Sequence, residues 1–82
     1  MKDLTFLHIP QEEGKETIAL FWGQDRLGLG VTCHASQIEA AKNTLLRMTV
    51  SRIAEKAAEI RDTEEAQYYL SIIKACRAHL RD

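Results

Sequence analysis

The longest regular alternation of apolar and polar positions runs from Ser36 to Ile60. Apolar residues recur there at Ile38, Ala41, Leu45 and Met48, then at Ile53, Ala57 and Ile60, at helical spacings. Ser36-Gln37-Ile38-Glu39 at its head reads as a capping box, a serine hydroxyl on a backbone N–H with a glutamate reaching back. No proline or glycine interrupts the run, which predicts one amphipathic helix over residues 36–61. Its apolar stripe drifts. Ile38, Ala41, Leu45 and Met48 share one direction, while Leu46, Val50, Ile53, Ala57 and Ile60 share another, roughly a quarter turn away at 100° per residue. Such a rod spans about 37 Å, against about 20 Å for a six-residue strand, so its far end overhangs any small sheet beneath it. Thr49-Val50-Ser51 is its weakest point in propensity and the place for a bend, if there is one.

Ahead of this helix the period changes to that of strands. Leu4 to Ile9, stopped by Pro10, predicts a first strand, Thr17 to Trp22 a second and Leu27 to Cys33 a third. Gln11 to Glu16 and Gly23 to Arg26 read as turns. A four-residue loop between the second and third runs pairs Trp22 with Leu27, Leu20 with Leu29 and Ile18 with Val31 on one face. It pairs Phe21 with Gly28, Ala19 with Gly30 and Thr17 with Thr32 on the other. The large aliphatics then share the first face, which is the expected core side, and the Phe21 ring covers a glycine.

After the long helix, Arg61-Asp62-Thr63-Glu64-Glu65 reads as a stop and a new start, with Asp62 or Thr63 as cap and two acids in the positive first turn. The last helix, within residues 63–81, carries an inner stripe of Ala66, Tyr69, Leu70, Ile73 and Leu80 with Cys76 at its flank. A short connection makes the two helices antiparallel neighbours. The expectation is therefore an α+β fold in a single domain over residues 1–82. A three-stranded antiparallel β-meander (1–33) is followed by two antiparallel helices, the long first one packed across the sheet.

Composition narrows the function more than it names one. A net charge of −1 and a pI near 6.3 supply no global attraction to nucleic acid or an anionic membrane. The charge is uneven. Residues 1–40 hold three bases (Lys2, Lys15, Arg26) against six acids, and residues 41–82 hold eight bases against six acids. No apolar run approaches a membrane span, no signal-peptide pattern opens the chain, and two cysteines imply no disulfide framework. A soluble cytoplasmic protein is the expectation.

The candidate chemistry is thin. Gly28-Leu29-Gly30 lacks the third glycine of a dinucleotide fingerprint, because position 33 is Cys33. Cys33-His34 and Cys76-x-x-His79 are a single spaced pair plus two adjacent residues whose side chains diverge, short of the two spaced pairs of a zinc site. Cys33 with His34, and Ser71 with His79, fall in no nucleophile motif. No catalytic residue, metal or cofactor is assigned, and the chain is not expected to be an enzyme.

Two surfaces remain. On the last helix Tyr68, Ile72, Ala75 and His79 form a second apolar line, four, three and four residues apart. It is either the broad core stripe of a helix wedged between two neighbours or a contact surface for another chain, where tyrosine is enriched. The contact reading makes the chain a small protein–protein interaction module, regulatory, adaptor-like or inhibitor-like, that forms a homodimer or docks on a larger protein. An inhibitor encoded by a phage or other mobile element has the same outline. The alternative is a nucleic-acid-binding regulator using Arg47, Arg52, Lys56, Lys74, Arg77 and Arg81, although Glu55 and Glu59 interrupt that set and a duplex binder shows a cleaner cluster.

Overall fold

A computed structural model describes residues 2–80, and of Leu29 the backbone alone. Strands β1 (Leu4–Pro10), β2 (Lys15–Trp22) and β3 (Asp25–His34) form an antiparallel sheet in the order β1-β2-β3. One 3-10 turn (Ala35–Gln37) leads into helix α1 (Ile38–Glu59), and after Asp62 helix α2 (Thr63–His79) folds back. The fold is the α+β meander with two antiparallel helices that the pattern predicts. The two helices are shorter than the expected 36–61 and 63–81. Arg81, the last of the expected bases, lies outside the described residues.

The β2–β3 hairpin keeps the predicted pairs Thr17–Thr32, Ile18–Val31 and Ala19–Gly30. Beyond Ala19 the register slips, so that Phe21 faces Arg26 and Trp22 faces Asp25 across a two-residue turn, Gly23-Gln24. A slip of two residues leaves every side chain on its original face, whereas a slip of one would have turned the set over. Gly28, at φ +84°, lies in this irregular stretch, in a left-handed conformation that favours glycine. No ring covers it, since a Cβ there would meet nothing within 4 Å. The close cover falls instead on Gly30, where an Arg26 guanidinium nitrogen lies 4.0 Å from the position a Cβ would take. Gly23, at φ +62°, is the tight point of the turn, and the Lys2 side chain lies 3.1 Å from where its Cβ would stand. The expected Leu20–Leu29 side-chain pair involves Leu29, whose side chain is outside the description.

The capping box does not form. Ala35 N–H donates to Gly14 O at 3.0 Å, which carries the β3 ladder past Cys33 and draws Ser36 into the 3-10 turn. Gln37 then precedes α1 with no side-chain cap. At α2 the prediction holds: Asp62 accepts from Glu65 N–H at 3.1 Å. The long helix passes through Thr49 unbroken. Thr49 is buried, and its hydroxyl donates to Leu45 O at 2.7 Å, so the burial leaves no polar group unsatisfied.

The core lies between the sheet and the helices, with Ile18 and Leu20 from β2, Ala41, Leu45, Leu46 and Ile53 from α1, and Ile72, Ile73 and Cys76 from α2. Trp22, Leu27 and Val31 close its margin. Each helix is turned slightly from its predicted stripe. On α1 the buried line runs between the two expected directions, taking in Thr49 and leaving Met48 exposed. On α2 it takes in Ile72 and leaves Leu70 at 49% exposure. The reason is position. α2 lies in the angle between α1 and the sheet and buries two flanks. Its coverage also reaches the far end of α1, where Ile53 is buried and Ala57 and Ile60 are half-buried, so the predicted overhang is sheltered by the chain's own tail.

Candidate interaction surface

The second apolar line on α2, which the sequence leaves open between core stripe and contact surface, is mostly buried within the fold. Ile72 is fully buried. Tyr68 is half-buried, donates its hydroxyl to Asp25 Oδ2 at 2.7 Å and stands edge-on to Tyr69 at 5.4 Å. Ala75 is half-buried, and only His79 is exposed, its ring nitrogen 2.8 Å from Ala75 O of its own helix. These residues belong to the wedged helix, so Tyr68 and Ile72 are not free for a partner.

The Tyr68 hydroxyl is part of an exposed clamp. Lys2 Nζ pairs with the same Asp25 oxygen at 2.9 Å and lies 4.7 Å from the centre of the Tyr68 ring. The clamp fastens the hairpin turn to the start of α2. The Tyr68 hydrogen bond and the Lys2 ammonium hold the Asp25 carboxyl below its ordinary range. Burial and the bond to Asp25 push the Tyr68 phenol up, and the same carboxylate raises Lys2.

The predicted bases do not gather into one stripe. Arg52 and Lys56 border a cleft of about 210 Å³ shared with Asp25, Arg26, Tyr68 and Tyr69, where the start of β3 meets the two helices. Lys74 and Arg77 lie further along α2, and Arg47 is exposed on α1. Of the candidate nucleophiles, Ser71 is committed locally and Cys33 is a half-buried free thiol, while Cys76 is buried in the core. Ser71 donates to Gln67 O at 2.9 Å, and burial pushes the Cys76 thiol up to about 11. Cys33 and Cys76 are both free thiols. Among the described residues no three His, Cys, Asp or Glu side chains come together as a metal-binding group, and no helix is long and apolar enough to cross a membrane.

What the sequence reading passed over is β1 and the sheet face that the helices leave bare. Pairing sets Thr5, Leu7 and Ile9 opposite Phe21, Ala19 and Thr17, on the face away from the core. A solvated antiparallel face ordinarily alternates to polar residues. Here it presents Leu7 at 47% and Ile9 at 36% exposure with Phe21 half-buried beside them. The signal was present, since Leu4 to Ile9 is apolar at both parities with only Thr5 and His8 between. On the other side of β1, a groove of about 460 Å³ opens between Phe6, Glu39, Lys42, Leu46 and His79, with Lys42 Nζ 5.2 Å from the centre of the Phe6 ring.

Comparison of the chain with protein families, with curated proteins and with solved structures returns no match.

Proposed function

We propose that this chain is a small non-enzymatic interaction protein, regulatory or adaptor-like, that self-associates through the β1 side of its sheet. The reading keeps the class of function expected from the sequence and moves its surface from α2 to β1. One observation carries it: the bare sheet face is apolar at Leu7, Ile9 and Phe21, where water-facing strands ordinarily carry polar residues. The local commitment of Ser71, His79 and Cys76 to backbone or core supports a role other than nucleophilic catalysis.

The test is the mass of the protein in solution across a concentration series. The wild-type chain rises above its 9.3 kDa monomer as concentration increases. Leu7→Glu remains at the monomer mass with its helical circular dichroism intact, because a charge on the bare face opposes burial without touching the core. A wild-type protein that stays monomeric at every concentration defeats the self-association reading.

A further inference from the structure

The backbone of β1 specifies more than a greasy face. Gln11 N–H donates to Lys15 O at 2.9 Å, and Gly23 N–H donates to Asp3 O at 2.9 Å. Between these two bonds the β1–β2 register is unbroken, from Leu4 opposite Trp22 to Pro10 opposite Glu16. Hydrogen-bonded pairs alternate with non-bonded pairs in an antiparallel ladder. Gln11 and Asp3 are therefore in phase with Ile9, Leu7 and Thr5, which bond to β2. Leu4, Phe6 and His8 turn their N–H and C=O groups the other way, to the open edge of the sheet.

Exposed edges are normally blunted by charge, proline, a bulge or a covering element. The opposite edge, β3, has its pairing broken between Ala19 and Phe21, has Gly28 in a left-handed conformation and carries Arg26. Strand β1 has no register shift and no Lys, Arg, Asp or Glu between Leu4 and Pro10. Only Pro10, which lacks an N–H, closes one end.

We propose that β1 pairs antiparallel with β1 of a second copy about a two-fold axis at Phe6, joining the two sheets into one continuous sheet. The inference rests on the self-association reading above and names its geometry. Phe6 lies opposite Phe6 of the second copy, and Leu4 opposite its His8. This is the register in which all three outward-facing residues of each strand exchange both bonds. Moving the axis to His8 sets Phe6 against Pro10, which cannot donate, and moving it to Leu4 takes His8 out of register with the other strand.

A two-fold interface places residue i against j and j against i, so like charges at its centre repel themselves. Strand β1 brings no Lys, Arg, Asp or Glu, and its His8 lies 3.4 Å from Glu16 of its own sheet. The groove beneath it brings one acid, Glu39, with Lys42 and His79, and a two-fold can set Glu39 and Lys42 in opposite-charge pairs across the seam. On the bare face, Leu7 comes to lie opposite Thr5 of the second copy, so the two Leu7 and Ile9 patches join into one.

The experiment compares the 82-residue chain with its His8→Pro and Leu7→Glu variants by sedimentation over a concentration series, and follows amide exchange of the wild type at low and high concentration. His8 directs its N–H outward, so proline there removes a donor from the edge and none from the β1–β2 ladder. The expected result is a wild-type species of twice the 9.3 kDa monomer and a monomeric His8→Pro. The Leu4, Phe6 and His8 amides gain protection on association. If His8→Pro associates like the wild type while Leu7→Glu does not, the sheet face and not the edge mediates contact. That result overturns the edge pairing and leaves the self-association reading standing. A wild-type monomer throughout overturns both. Should His8→Pro fail to fold, the exchange decides: Leu4, Phe6 and His8 amides that exchange equally fast at both concentrations overturn the pairing.

Discussion

Leu20 and Leu7 lie on adjoining strands of one small sheet, yet Leu20 is fully buried and Leu7 is 47% exposed. Both sit at apolar positions of strand-like runs, and nothing in their immediate neighbours in sequence separates them. The difference is what stands over each face. Two helices cover Leu20, whereas among the described residues no helix lies over Leu7's face, where only the small Ala19 is buried, among its strand neighbours. Burial in this protein is thus a property of a layer, and one missing layer leaves a surface with the composition of a core.

Substitutions in the two layers should diverge most. Ile18→Ala and Leu45→Ala remove fully buried side chains and should each lower unfolding free energy by about 2–5 kcal/mol in urea melts. Ile9→Ala on the open face should change the monomer's stability by less than about 0.5 kcal/mol, while weakening association. Equal losses at Ile18 and Ile9 would erase the contrast between the layers.

A smaller effect concerns the cover itself. Asp62→Ala deletes the cap of α2 and should cost about 1 kcal/mol. Because α2 covers the far end of α1, faster amide exchange should appear in α2 and around Ile53, with the β1 amides unaffected.

The smallest effect belongs to the exposed clamp at the hairpin turn, and its sign follows from its pKa directions. Asp25 is lowered in the fold, so its contribution is complete above the ordinary carboxylate range and fades as pH falls through its folded value. Tyr68 and Lys2 are raised, so theirs is complete below pH 10 and fades as pH rises through their folded values. Solvent screening keeps the contribution modest. Tyr68→Phe should narrow the difference between melts at neutral and acid pH while leaving the core untouched. An unchanged pH profile in that variant would assign the acid sensitivity to other carboxylates.

Much of this architecture was legible in the chain. Periodicity located all three strands and both helices, the cap of α2 was narrowed to Asp62 or Thr63, of which Asp62 takes it, and the Ile18–Val31 side of the hairpin followed from where aliphatics fall. The misreadings share one cause. Ser36 loses its capping role because Ala35 is tied to Gly14, a residue far away in sequence. The Phe21–Gly28 pair fails because the ladder slips between Ala19 and Phe21 and the turn tightens to two residues. The second apolar line of α2 allowed two readings, core stripe or contact surface, and Ile72 falls in the core because α2 lies in the angle between two neighbours.

Local chemistry, then, was enough to decide the order and kind of the elements, because turn residues, caps and hydrophobic period act over a few positions of chain. The rotation of each helix, the shelter given to Ile53 by α2, and the bare flank of β1 were decided by packing between distant segments. A side chain carries its own hydrophobicity with it. Whether anything lies on top of it depends on where the rest of the chain comes to rest.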